Sequence, residues 1–281
     1  MTQPTVKVSD EAMITNKPKS KFPLTWQGLF SGLMFFYMYL PILVLALYSF
    51  NKSKYAKWEG FSLEWYRILF EDGRIFRALQ NSLIVAIVAV AISAVLGTMM
   101  AVGLAKYHFW GKGLYKGISY LPLIIPDIAI AVATLVFLAV IGTSLSIWTI
   151  IAAHVVFCLA YIAIVVSSRI AGLDPNLEEA ALDLGATPFQ AFIKVLLPEL
   201  APGIIAGSLL SFVLSMDDFL ISSFTAGTGS TTLPMEIFSR IRTTVKPDIN
   251  ALSVLLILAS GTLVFIAEYV RFKSEQKRFN P

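Results

Sequence analysis

The chain has one cysteine, Cys158, and two histidines among 281 residues. A lone cysteine permits no intrachain disulfide and no cysteine-based metal site. Without a histidine or cysteine cluster, no metal centre is expected. Charge is scarce too. Asp, Glu, Lys and Arg make up 14% of the residues, against ~25% in ordinary soluble domains. No G-x-x-x-x-G-K-[ST] stretch occurs, so the device that cradles ATP phosphates is missing. No nucleophile–base pair is discernible, so no enzyme activity and no cofactor of the chain's own are expected. Basic residues fall in short groups beside apolar runs, which excludes a nucleic-acid surface.

Apolar residues dominate, at 57%, with a mean hydropathy of +0.74. Runs at 27–50, 79–105, 117–141, 147–168, 202–224 and 250–270 each approach or exceed the ~20 residues that cross a bilayer. Each must be a helix that satisfies its own backbone. The expectation is an all-α polytopic membrane protein with six transmembrane helices. A polar tail covers 1–26, an outer loop 51–78, a core 79–270 and a second tail 271–281. The first run is expected to remain as an anchor, being longer than a secretory signal core. Lysines 17, 19, 21, 106, 112 and 116, with Arg271, Lys273, Lys277 and Arg278, then share one side. The positive-inside rule makes that side the cytoplasm, with both termini in it.

Between spans the sequence carries local signals. "WEGFSLEWYRILF" suggests a short helix at the lipid–water interface. Asn81 is placed to cap the second span. Residues 142–146 allow only a tight connection, and 233–250 suggest a short external helix and turn. Cys158 reads as a packing residue, and His154 as the donor of an interhelical hydrogen bond.

The stretch "EEAALDLGATPFQAFIKVLLPELAPG" interrupts the apolar pattern. Asp174–Pro175 reads as a cap with proline at the first helical position, and Gly185 as the stop. Thr187–Pro188 starts a second helix with Phe189, Phe192, Ile193 and Leu196 on one stripe, and Pro198 ends it. Helices of about ten residues are too short to cross, so 174–198 is expected at the cytoplasmic surface. Ala180 and Ala181 give a low face, with Glu178, Glu179 and Asp183 beside it. That suits a groove on a soluble partner carrying Arg or Lys. A helix resting on lipid would favour Lys and Arg over acids.

Acids inside spans are costly, at ~2.5–3.5 kcal/mol or more, and usually functional. Asp127 lies about ten residues into span three, ~15 Å deep by helical rise. Asp217 and Asp218 lie in span five. Neighbours on a helix point about 100° apart, so one is expected in a pore, with Asp217 preferred, and Ser215 could add an acceptor. Glu268 can pair with Arg271. Acids along a path suit a cationic substrate.

Glu179-Ala180-Ala181, Gly185, Val195 and Leu197-Pro198 keep the gapped spacing of the EAA motif, and resemble it in the permease subunits of ATP-binding-cassette importers. Val195 stands where that family usually has Ile. "SFN", "WYRIL", "PDI", "AHVVFC", "DLGAT", "SMDDFLISSF" and "TTLPMEIFS" together resemble the polyamine importers, in particular the second permease subunit for spermidine and putrescine. The resemblance implies a type I ABC importer permease fold in a bacterial inner membrane. It implies a second homologous permease subunit, an ABC ATPase dimer that binds ATP and Mg, and an extracytoplasmic polyamine-binding protein. It carries ATPase coupling to Glu178, Glu179, Ala180, Ala181, Asp183, Gly185 and Pro198. It carries amine recognition to Asp127, Asp217 and Asp218, with Ser215, Trp65 and Tyr66 in the pathway. Two other readings stand beside it. One is an ABC permease for another solute, and the other a proton-coupled secondary transporter working through the same acids.

Overall fold

A computed structural model describes residues 26–55, 57–243 and 247–279, without the side chains of 243, 263, 264 and 266–279. The tail up to residue 25 and the Glu268–Arg271 pairing therefore lie outside the described residues. The chain divides at residue 47 into two units. The first holds α1, Trp26–Tyr48, which has Pro41 inside it and no buried side chain. Its apolar residues cover every face, a surface for lipid or other helices and not for water.

The second unit begins with α2 (Glu64–Glu71), α3 (Gly73–Lys106), α4 (Lys112–Tyr120), α5 (Asp127–Val140) and α6 (Ile147–Ala171). It continues with α7 (Leu177–Asp183), α8 (Pro188–Ala191), α9 (Leu197–Asp217), α10 (Leu220–Thr225), α11 (Leu233–Thr243) and α12 (Pro247–Phe279). Among the described residues, four helical stretches are long and apolar enough to cross a bilayer, and the bent pair α4–α5, taken as one span, makes five. The sixth expected run falls in α12, whose apolar stretch within the described residues is Pro247–Thr262.

Helix α6 is the centre of the unit, packed against both α3 and α9. Its Ile150, Ile162 and Val166 are fully buried. Lipid gives helices no hydrophobic reason to associate, so close approach of small residues and polar contacts must do it. Gly97 on α3 and Gly207 on α9 flank Ile162: a Cβ on either would come within 3.2 Å of it. Ser93 on α3 donates to the Val155 carbonyl at 3.2 Å. Ser211 on α9 donates to the Cys158 carbonyl at 3.3 Å. Cys158 is buried packing, as its sequence context suggests.

Helix starts follow local chemistry. Ser146 and Thr149 form a capping box at α6, after the short link expected at 142–146. The cap of α3 is Asp72, whose carboxylate accepts from the Arg74 and Ile75 amides, so the helix starts a turn and a half before the predicted 79. Asn81 is therefore not a cap. It lies inside α3 and donates to the Gly229 and Thr231 carbonyls at 3.0 and 2.9 Å.

Two proline-bearing stretches differ from expectation, a straight span three and a helix stop at Pro198. Pro122 and Pro126 interrupt span three, because neither has an N–H to carry the helix ladder. A 3₁₀ turn, Leu121–Leu123, follows α4, and α5 leaves at 107° to it. Pro198, by contrast, does not stop its helix. Phe192–Leu196 forms a π turn, which re-registers the ladder ahead of the missing donor, and a helical run continues from Pro188 to Asp217.

At the N-terminal end of α3, Arg240 on α11 gathers three carboxylates: Asp72 at 2.7 Å, Glu236 at 2.8 Å and Asp248 at 3.2 Å. This ties α3, α11 and α12 together. Burial works to raise the Asp72 pKa, but bonds from Arg240 and the α3 amides outweigh it and hold the carboxyl below its ordinary range. A depressed carboxyl stabilises the fold above its unfolded pKa, near 4, and loses that contribution as pH falls through the lower folded value. Thermal unfolding in detergent is expected to fall steeply below about pH 4. Arg240→Gln should lower stability at neutral pH and flatten that acid limb. An acid limb unchanged in the variant would contradict the assignment.

Candidate functional site

Helix α9 ends at Asp217 because its neighbour turns out of the helix. Asp218 has extended backbone, φ −67° and ψ 119°. Its carboxylate accepts from the Ile221 amide at 3.2 Å, the Ser222 amide at 2.7 Å and the Ser222 hydroxyl at 2.9 Å. These are the amides that a helix start leaves without partners, so one acid makes α10 possible. The carboxylate also lies 3.3 Å from Nε2 of His154.

Asp217 points elsewhere. With Asp127 at the N-terminus of α5, it lines a cavity of about 270 Å³, walled by Phe157 and Tyr161 of α6, Leu214 of α9 and Phe219 of the break. Asp218 forms part of the wall but spends its oxygens on α10. Among the described residues neither Asp127 nor Asp217 has an ion-pair partner. Two open carboxylates beside aromatic faces attract a cation by charge and by ring quadrupole. A larger groove of about 640 Å³ between α3 and α4 has no charged residue in its lining. The counting of ~15 Å for Asp127 assumed a straight span, which the bend before α5 removes.

Three further candidates are placed away from the cavity. Ser215 is 4% exposed and bonded to Nδ1 of His154 at 2.7 Å, so it faces α6 and leaves the cavity to Asp217. Trp65 is 6% exposed, and its indole donates to the Asn51 carbonyl at 2.7 Å. The Tyr66 hydroxyl bonds the Ser49 hydroxyl at 2.8 Å, and its ring packs on Phe50. Both aromatics hold the loop after α1 together. That loop folds on Asn51, whose amide oxygen accepts from the Ser53 and Glu59 amides. The interhelical role expected of His154 holds.

The segment 174–198 has the expected turn. Gly185 has φ +85°, and the Gly185 and Ala186 amides return to Leu182 and Ala181 carbonyls at 2.9 and 3.1 Å. This is the Schellman stop, open to glycine at little cost. The first helix starts later than expected. Asn176 stands at its cap, while Asp174 accepts from the Asn176 amide. Thr187 and Gln190 form the capping box of α8. The alanines divide: Ala180 is exposed and Ala181 is buried. Glu179, Asp183, Gly185 and Pro198 are exposed. Glu178 instead pairs with Lys106 at the end of α3. The predicted stripe divides as well, since Phe192 and Leu196 pack inward with Leu200. Leu184 and Phe189 are 90% and 74% exposed, an apolar face beside the acids that joins Phe189 of the stripe to Leu184, which the spacing does not single out. Among the described residues, no group of His, Cys, Asp or Glu could hold a metal ion.

Residues 93–278 match the family described as the inner membrane component of binding-protein-dependent transport systems. The chain belongs to this family. The permease is 40% identical to the putrescine transport system permease protein PotI of Escherichia coli K12, over 94% of this chain and 96% of that one. It is 37% identical to the spermidine/putrescine transport system permease protein PotC of Haemophilus influenzae, over 87% and 96%. In structure it is similar to a bacterial ABC transporter that imports the acidic polysaccharide alginate. The TM-score is 0.68 at 14% identity, over 87% of this chain and 94% of that one. An amino acid ABC transporter gives a TM-score of 0.57 at 18% identity, over 74% and 99%. The fold is that of the type I ABC importer permeases.

Trp65→Phe removes the bond to Asn51 while keeping a ring. In the permease it is expected to make the loop 49–64 several-fold more sensitive to protease and to leave half-saturating substrate for uptake unchanged. A raised half-saturation with an intact loop would return Trp65 to the pathway.

Proposed function

We propose that this permease conducts polyamines inward across a bacterial inner membrane, driven by ATP hydrolysed on separate subunits. The observation that carries the cargo is the cavity holding two unpartnered carboxylates, Asp127 and Asp217, against Phe157, Tyr161 and Phe219. An amine chain offers ammonium groups to acids and methylenes to rings. The names of relatives at 36–40% identity agree with it.

The motor would dock on α7 and α8. Ala180 is a low point, Glu179 and Asp183 supply charge, and Leu184 and Phe189 supply apolar area. Such a mix fits a groove on a soluble partner. Lys106, to which Glu178 pairs, belongs to the basic group at the end of α3, which favours the cytoplasmic side. The rest of the assembly would be a second homologous permease subunit, an ATPase dimer carrying ATP and Mg, and an extracytoplasmic polyamine-binding protein. Closure of the ATPases would move α7 and α8 with the helices they abut as rigid bodies.

Reconstituted with its partners, Asp127→Asn and Asp217→Asn are each expected to cut spermidine or putrescine uptake at least tenfold while the complex still co-purifies. Uptake unchanged in both would remove the cationic path. Uptake that persists without internal ATP and dies with the proton gradient would favour a secondary transporter instead.

Phe189→Asp should release the ATPase from the purified permease or abolish stimulated hydrolysis. Normal stimulation in that variant would place the docking face elsewhere.

A further inference from the structure

We propose that His154 is a positioning residue of transport: bonded to both sides of Asp217, it fixes the direction in which that carboxylate enters the cavity. The inference rests on the reading of the Asp127–Asp217 cavity as the passage for cationic cargo.

His154 is fully buried on α6, the central helix of its unit. Its Nδ1 lies 2.7 Å from the Ser215 hydroxyl, two residues before Asp217. Its Nε2 lies 3.1 Å from the Ser222 hydroxyl and 3.3 Å from the Asp218 carboxylate, one residue after Asp217. One imidazole thus holds the last turn of α9, the break and the first turn of α10. The proton positions follow from the partners. The Ser222 hydroxyl gives its proton to Asp218 at 2.9 Å, so it can only accept from His154, and Nε2 must carry a proton.

The consequence falls on Asp217. Residues 215 and 218 are pinned to a rigid helix on one side, so the backbone between them has one orientation. Adjacent side chains near a helix end diverge by about 100°. With Asp218 directed at His154, Asp217 is directed away from it, into the cavity with Asp127. Without the imidazole, Asp218 would lose its lateral support and Ser215 its partner. The break could then rotate, and either acid could face the cavity.

His154→Leu removes both bonds, and His154→Gln keeps a donor within reach of the Nε2 position. Both are to be assayed in the reconstituted complex with its binding protein, with spermidine as the probe. In the Leu variant the concentration for half-maximal uptake is expected to rise at least tenfold, with maximal rate falling less than threefold. The Gln variant should stay within threefold of the parent in both. Because His154 acts through Asp217, adding His154→Leu to Asp217→Asn should change half-saturation by less than twofold. Unchanged half-saturation in the Leu variant overturns the proposal, as does a Gln variant as impaired as the Leu one. Loss of the complex in both variants overturns it too, since that marks a purely structural role. So does additivity with Asp217→Asn. If Asp217→Asn alone leaves uptake intact, the His154 inference fails by itself; if Asp127→Asn leaves it intact as well, the cationic passage fails with it.

Discussion

A helix that stops among apolar neighbours leaves amides that water cannot reach, and each would cost several kcal/mol in lipid. The break between α9 and α10 depends on that constraint. Asp218 answers for two amides and a hydroxyl at once, and His154 stands beside it in the fully buried centre of α6. An acid so used is part of the scaffold. Because it is used up there, the acid next to it is free. The proline-bearing turn before α5 does the same with less chemistry: its missing donors need no partner, and Asp127 emerges at a helix start. Two interruptions of the helical ladder therefore bring two carboxylates to one cavity.

The other end of the unit obeys a different rule. At α7 and α8 the backbone is exposed, and glycine, capping boxes and short lengths can set the shape. Gly185 takes a left-handed turn with no strain, and Thr187 restarts the chain. The anchors include two ion pairs, Lys106–Glu178 and Arg169–Glu199, backed by Ala181 and the packing of Leu196 and Leu200. Beyond Phe192 the same backbone runs without a stop into α9. A push on the exposed turn therefore reaches the membrane helix through continuous backbone, with the π turn as the one place where the ladder changes register.

These two regions differed in how far they could be read from sequence. The Gly185 turn and the Thr187 cap are local, fixed by residues within four positions of each other, and the spacing revealed them. Pro198 does not act as the expected stop, because the π turn ahead of it carries the helix past the missing donor, and Pro41 and Pro202 likewise lie inside helices. The rotational phase of a side chain about its helix was harder. Ser215 and Asp217 lie two residues apart and face different ways, and the choice is made by His154, sixty-one positions from Ser215. Trp65 and Tyr66 enter the pathway only through the resemblance, and the sequence around them reads equally as an interfacial helix. Their partners, Asn51 and Ser49, belong to the far side of the loop. Glu178 could not be separated from Glu179 by composition, because the lysine that takes it belongs to another helix.

The three acids that line the cavity also differ in their surroundings, with Asp127 and Asp217 exposed and Asp218 half-buried. Asp218 is compensated when the cavity is empty, since its oxygens are already bonded within the protein. Asp127 and Asp217 have no ion-pair partner among the described residues, so their charge is left for whatever enters the space. On the proposed function, a cation would gain from both charges on entering, while a neutral or anionic solute would not, so selectivity would lie in the site before it is filled. The gain must also be reversible, or the cargo would never leave. On the proposed function, two carboxylates on different helices, α5 and α9, would meet this condition, because a relative movement of those helices would change their separation and with it the grip on an amine. A pair on one helix would hold its cargo equally in every state of the cycle. The split of the Asp217–Asp218 doublet, with one acid bonded to α10 and one left open, is what leaves this chain one open carboxylate on each of α5 and α9.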